Sequence, residues 1–350
     1  MNQYLSHLNS LKISSQSNND FVAVSLFSGG GGLDLGLSFA GFHFKYSTDS
    51  ELEYCQTIQQ NFANCIVEPR DVYNLNGAEI KEKIQSKSIA LIAGGPPCQS
   101  FSILGNRKSF ADSRGQLVFE FLRLVNELKP SAFIFENVPG LLTLNKGKDW
   151  FQFLSAIKTI TDYKLCMSKI LNAADYGVPQ IRKRIFVVGF RSLTKFTPPN
   201  PTHFNPHKAE GISNQELIEW LSSKLALEDV EGLPNHDIRP HGERVRSRYQ
   251  LIPPGGRDQV DHTDRIHPER PAGTVIVGSR TGGGRPHIHP NFPRHITVRE
   301  AARLQSFPDW YLFLGSSTAQ YRQVGNAVPP LLAYSIGKCI KEALQRTSAQ

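Results

Sequence analysis

From Phe21 onward the chain alternates between short apolar runs and longer stretches whose apolar residues recur three and four apart. The runs at residues 22–27, 42–47, 88–93, 132–135, 164–171 and 184–190, with a weaker one near 65–67, predict strands. Helices are predicted between most of them, over 51–62, 115–128 and 150–161. Seven strands interleaved with helices predict an α/β fold, a doubly wound, mostly parallel Rossmann-like sheet with helices on both faces. Residues 1–20 are Ser/Asn-rich and lack periodicity, which predicts a disordered tail.

The rhythm stops after Phe190. Four prolines (Pro198, Pro199, Pro201, Pro206) within residues 195–207 mark a linker. A Gly/Pro/Arg/His-rich stretch with short strands at best runs to about Pro293. A helix over 297–305 and an amphipathic helix over 330–345 complete the chain. Of the 350 residues, 39% are apolar and 10% aromatic, enough to bury a core and exclude wholesale disorder. No run approaches the ~18 unbroken apolar residues of a membrane span. Residues 1–20 also lack a signal-peptide apolar region, so a cytoplasmic protein without membrane partners is expected. The five cysteines (Cys55, Cys65, Cys98, Cys166, Cys339) are odd in number and outside metal-ligand spacing, which argues against a disulfide framework; no metal is expected.

Charge is unevenly placed. Residues 238–303 hold twelve arginines, no lysine and six acids, a net +6 out of the chain's +8. Arginine without lysine fits bidentate recognition of phosphates and guanine edges, and equally a solvated basic face.

The first predicted strand runs straight into Phe27-Ser28-Gly29-Gly30-Gly31-Gly32-Leu33 and then a helix, a turn that lets a ligand approach backbone N–H groups. Asp49 ends the next strand, 20 residues after Gly29, where an acid can accept hydrogen bonds from ribose hydroxyls. Asp71 follows another short strand and suits an adenine amino group. So far a nicotinamide-dependent oxidoreductase fits equally well. The fourth strand delivers Gly94-Gly95-Pro96-Pro97-Cys98-Gln99-Ser100-Phe101-Ser102 to the carboxyl edge of the sheet, where α/β proteins bind ligands. A lone cysteine is commonly a small core residue, but two prolines fix this one as a nucleophile requires. The fifth strand brings Glu136-Asn137-Val138 to the same edge. An oxidoreductase leaves Cys98 and the arginine-rich stretch unexplained.

With these residues in place the chain resembles the cytosine-C5 DNA methyltransferases of the bacterial restriction-modification type. The likeness covers nearly the whole chain in order. Beyond the glycine turn, the Pro-Pro-Cys-Gln loop and Glu136-Asn137-Val138, it rests on Asp112-x-Arg114-Gly115-x-Leu117 and Gln180-x-Arg182-x-Arg184. Residues 299–308 and 323–330 supply the last two motifs. The resemblance implies a methyltransferase sheet formed by residues 21–191 plus 320–347 and binding S-adenosylmethionine. It also implies a smaller target-recognition domain at 192–297 and a connecting segment at 298–319. Catalytic roles would fall to Cys98, Glu136, Arg182 and Arg184. Cofactor contacts would come from Phe27, Gly29, Gly31, Gly32, Leu33, Asp49, Glu51, Asp71, Val72, Pro96, Leu117, Asn326, Ala327 and Val328. DNA contacts would come from Gln99, Ser102 and Thr274, and from Arg280 and Arg285 in a loop that also reads as a plain surface loop. Three departures stand out: Asp49-Ser50-Glu51 replaces the family's Glu-x-Asp, Ala301 replaces a usual Cys, and Ser306 a usual Gly.

The implied reaction is methylation of carbon 5 of a cytosine flipped out of duplex DNA, through a Cys98–C6 adduct. The expected setting is a monomer in the bacterial cytoplasm, associated with the nucleoid. It would act as the protective methylase paired in function, though not in a stable complex, with a restriction endonuclease. Two rivals share the fold: a transfer-RNA cytosine-C5 methyltransferase, disfavoured by the long insert between Arg191 and Thr297, and a DNA-binding relative that has lost catalysis, disfavoured by intact Cys98, Glu136 and Arg184.

Overall fold

The computed structural model describes residues 2–13, 21–86, 88–97, 117–160, 162–192, 195–208, 217–276 and 286–348. Cys98, Gln99, Ser102, residues 112–115, Arg280 and Arg285 lie outside the described residues.

A helix, α1 (Gln3–Ser10), comes first, then β1 (Val22–Leu26), α2 (Gly32–Phe39), β2 (His43–Asp49), α3 (Leu52–Asn61), β3 (Ile66–Pro69), α4 (Gly77–Ile84) and β4 (Leu91–Gly94). The sheet is completed by α5 (Leu117–Leu128), β5 (Ala132–Asn137), α6 (Lys148–Ile160), β6 (Lys164–Asn172) and β7 (Lys183–Phe190). Its seven strands stand in the order β3-β2-β1-β4-β5-β7-β6. All neighbours pair in parallel except β7, which runs antiparallel to both β5 and β6. The predicted doubly wound sheet is therefore present, with the strand ends shifted by a few residues.

Alternation along the strands explains why helices cover both faces. Val22, Val24 and Leu26 enter one core with α4, α5 and α6, while Ala23 between them joins the other, built with α2 and α3. Because β1, β2, β4 and β5 are parallel, their carboxyl ends lie along one edge. That edge receives the glycine turn, Asp49, Gly94–Pro97 and Glu136.

Beyond the sheet lie β8 (His203–Phe204), β9 (Ile218–Glu219), α7 (Lys224–Leu227), α8 (Glu243–Gln250), α9 (Val298–Leu304), α10 (Ser317–Asn326) and α11 (Pro330–Ser348). Within 192–297, Tyr249, Ile252 and Ile288 form a small apolar cluster of their own. Ala226, Leu227, Ile266, Ala272 and Val275 belong instead to the large core, so the stretch is not packed independently of the sheet domain. α9 opens with a capping box, Thr297 and Glu300 each bonding the other's backbone N–H. Arg299 and Arg303 are fully enclosed. Arg299 donates to the carbonyls of Pro234, Pro308 and Tyr311 at 2.9, 3.0 and 2.8 Å; Arg303 pairs with Asp309 at 2.7 Å. Ser306 has φ 63°, the left-handed conformation in which glycine is the usual residue; its hydroxyl accepts the Leu331 N–H at 3.1 Å.

The disordered tail expected at residues 1–20 is contradicted over α1. Asn2 caps it through the Leu5 N–H, and Tyr4, Leu5 and Leu8 are buried. The Tyr4 hydroxyl donates to the Arg303 carbonyl at 2.6 Å, and Asn9 and Asp309 exchange two hydrogen bonds at 2.8 and 2.7 Å. Few apolar positions suffice because the helix docks onto a ready surface around α9. Leu8→Ala is expected to lower unfolding stability by about 2–5 kcal/mol, the range for truncating a buried leucine. Urea denaturation checks this, and an unchanged midpoint would contradict the docking.

Candidate active site

The strand ends, the glycine turn and the α10–α11 junction enclose a cavity of about 920 Å³. Small-molecule sites commonly span roughly 300–1,000 Å³, so there is room for a nucleoside-sized ligand and more.

Its floor is the glycine turn. A Cβ on Gly32 would run into the Val328 carbonyl, so this glycine lets the start of α2 lie against residues 327–328. Gly31, expected to bind cofactor, does not line the cavity; it faces Ile58 and the Tyr311 hydroxyl. Phe27, Gly29, Gly32 and Leu33 do line it.

One end is acidic. Asp49 accepts the Gly29 N–H at 2.9 Å and the Glu51 N–H at 3.0 Å, so the carboxylate expected to bind ribose also holds the turn in shape. Burial raises its pKa, against those backbone hydrogen bonds. Glu51 lines the same wall, as do Asp71, whose carboxylate accepts the Tyr73 N–H at 3.1 Å, and Val72. Pro96, Leu117, Asn326, Ala327 and Val328 complete the expected cofactor set, and all border the cavity.

The other end is Glu136 with Arg184. Glu136 pairs across the strands with Phe186, which puts Arg184 on the diagonal of the same face. Arg184 Nε lies 2.9 Å from Glu136 Oε1, both side chains about 11% exposed. Burial raises the pKa of Glu136, against the lowering influence of Arg184 and Arg182. Gly95 is needed beneath it, because a Cβ there would come within 2.7 Å of Glu136 Oε2. Asn137 Nδ2 donates to the Pro96 carbonyl at 2.8 Å, tying the acid strand to the turn that leads into Cys98. Cys98 itself, with Gln99 and Ser102, is outside the described residues. Burial raises the pKa of every described cysteine (Cys55 to about 11, Cys65 to about 12), the direction opposite to the activation a nucleophilic thiol needs.

Arg182 is not where expected. Its guanidinium is fully buried and donates to the carbonyls of Gly325 at 2.7 Å and Val275 at 3.4 Å. Gln180 likewise donates to the Leu304 carbonyl at 3.2 Å and accepts the Val275 N–H at 3.0 Å. Alternate residues leading into β7 thus divide: Gln180 and Arg182 brace three distant segments, and Arg184 alone of the three borders the cavity. Thr274 lies off the cavity, its hydroxyl donating to the Ile181 carbonyl at 2.8 Å. Arg280 and Arg285 are outside the described residues.

Sequence reasoning passed over Ser25, Asp34, Tyr54 and Arg322, which also border the cavity. Only Asp34 carried a signal, a charge inside the apolar run Gly32-Leu33-Asp34-Leu35-Gly36-Leu37. Burial pushes its pKa up to about 7; the Ser25 hydrogen bond opposes the shift and Asp49 adds to it. A carboxyl raised on folding contributes stability below its ordinary value of 3.8 and loses it as pH climbs to about 7. Asp34→Asn is expected to remove that part of the slope, up to roughly 1.4 kcal/mol per pH unit. Urea midpoints at pH 5 and 7 read it, and parallel trends in both proteins would contradict it.

A family model described as C-5 cytosine-specific DNA methylase matches residues 21–342. The type II methyltransferase M1.HphI of Haemophilus parahaemolyticus is 35% identical, over 91% of this chain and 86% of the relative. M.NgoFVII of Neisseria gonorrhoeae, also named a type II methyltransferase, is 35% identical over 97% of this chain and 90% of its own. Among solved structures, an Escherichia coli prophage-encoded DNA modification methyltransferase superposes with TM-score 0.76 at 28% identity, covering 93% of this chain and 99% of that one.

Proposed function

The chain belongs to the C-5 cytosine-specific DNA methylases, and we propose that it is a sequence-specific enzyme of duplex DNA that uses S-adenosylmethionine and flips its target cytosine. The observation that carries this reading is Glu136, sealed against Gly95 and Arg184 at the cavity end next to the turn that leads into Cys98.

The cavity fits the donor. Glu51 and Asp49, on its wall, would accept from the ribose hydroxyls and Asp71 from the adenine amino group, with Asn326–Val328 also bordering the space. S-adenosylmethionine supplies an activated methyl group. The protein's task is to make carbon 5 of cytosine nucleophilic enough to take it. Attack by the Cys98 thiolate on carbon 6 interrupts the ring's aromaticity and gives carbon 5 enamine character. A thiol with an ordinary pKa of roughly 8.5 needs an electropositive setting, which Arg184 would supply. Burial favours the protonated form of Glu136, against the pull of Arg184 and Arg182, and that is the form that would donate to N3 of the ring. Loss of the carbon 5 proton after transfer expels the thiolate.

A stacked base is out of reach of these groups, so the target is extruded. Residues 192–297 would then meet the duplex, phosphate contacts setting register and a few side chains, Thr274, Arg280 and Arg285 among them, reading bases. We assign the enzyme to the bacterial cytoplasm as a monomeric protective methylase of a type II restriction-modification system. Its relatives' names as type II methyltransferases support that role.

Purified protein given duplex DNA and methyl-labelled donor is expected to place label on cytosine carbon 5. Cys98→Ala should lose at least ~10³-fold in rate, the scale for removing an essential nucleophile, while still binding DNA. Near-normal turnover in that variant would sink the mechanism. DNA affinity should also fall steeply between 50 and 200 mM salt as counterions are released, and an affinity indifferent to salt would remove the role given to the arginine-rich stretch.

A further inference from the structure

One buried carboxyl bordering the cavity has no part in the reaction above. Asp34 sits in the first turn of α2, 1% exposed. Its Oδ1 accepts the Ser25 hydroxyl at 2.7 Å, and Ser28 Oγ lies 2.9 Å from Ser25 Oγ, so a short polar chain runs beneath the glycine turn. Oδ2 is buried with no hydrogen-bond partner among the described residues. A native protein rarely leaves a buried acceptor unmet, because the cost is of order a few kcal/mol. Asp34 and Ser25 both border the cavity, so the missing donor can come from a ligand there.

We propose that Asp34 Oδ2 receives the α-ammonium group at the amino-acid end of the bound methyl donor. This rests on reading the cavity as the S-adenosylmethionine site. The acids assigned to the nucleoside lie at the end of β2 (Asp49) or just beyond β2 and β3 (Glu51, Asp71), whereas Asp34 lies beneath the turn after β1, one strand nearer the reacting end at Glu136. A primary ammonium offers N–H donors and a full positive charge, and a charge-assisted bond to a carboxylate is roughly twice as strong as a neutral one. The groups acting on Asp34 are Ser25 on β1, Asp49 at the end of β2, the Tyr311 hydroxyl, which donates to the Gly30 carbonyl at 2.9 Å, and the Cys65 thiol. Of the cavity's cations, Arg184 pairs with Glu136 and Arg70 with Glu79 at 2.5 Å, while Arg322 on α10 acts electrostatically on Tyr54 and is not among the groups that shift Asp34. Binding an ammonium draws a proton off Asp34, so affinity for a ligand carrying that group tightens as pH rises through neutrality.

The test is calorimetric titration of the full chain with two thioether nucleosides, S-adenosylhomocysteine, which keeps the charged amino-acid end, and 5′-methylthioadenosine, which lacks it. Wild type should bind S-adenosylhomocysteine several-fold more tightly at pH 8 than at pH 6, and methylthioadenosine alike at both. Asp34→Asn should weaken S-adenosylhomocysteine roughly tenfold or more at pH 8, flatten its pH trend and leave methylthioadenosine within about twofold. Equal weakening of both ligands would show a merely structural Asp34 and overturn the proposal, as would unchanged binding of S-adenosylhomocysteine. A wild type that binds neither would overturn the cavity assignment itself, and this proposal with it.

Discussion

The Glu136 carboxyl and the Arg184 guanidinium, 2.9 Å apart at the end of β5, could not be buried singly. An unpaired charge in that position costs several kcal/mol, whereas a hydrogen-bonded pair is tolerated. The antiparallel insertion of β7 beside β5 makes the pair possible, because only that direction sets Arg184 diagonally across from Glu136. Gly95 leaves room for the carboxyl, and Asn137 fastens the neighbouring Pro96 carbonyl. Chemistry at the sheet edge thus depends on a pairing decided by sheet topology.

Arginines buried against backbone carbonyls hold the rest of the cavity closed. Arg182 joins the approach to β7 to Gly325 and Val275, while Arg299 and Arg303 gather residues 228–235 and 308–311 around α9. A guanidinium has five donors in a fixed fork, which suits it to satisfying several orphan carbonyls where irregular chain segments meet. α1 adds a strap over this junction through Tyr4 and Asn9. Residues far apart in sequence are thereby fixed against the glycine turn.

Much of this was legible in the chain. Every strand of the sheet announced itself by a short apolar run, and all but Gly31 of the expected cofactor set borders the cavity. The misses have physical causes. Gln180, Arg182 and Arg184 share one spacing, and sequence says nothing of which guanidinium finds carbonyls and which finds a carboxylate. α1 hid because its three buried residues, Tyr4, Leu5 and Leu8, sit among Ser, Asn and Gln and acquire meaning only from the surface they meet. Ser306, where glycine was expected, is explained by a left-handed backbone that its own hydroxyl helps to hold.

The most direct test of the central claim is a base-resolution methylcytosine map of host DNA after expressing the wild type and Cys98→Ala side by side. The account predicts 5-methylcytosine at one short motif, present only with the wild type. DNA unmarked in both cultures, or marked equally in both, would contradict it.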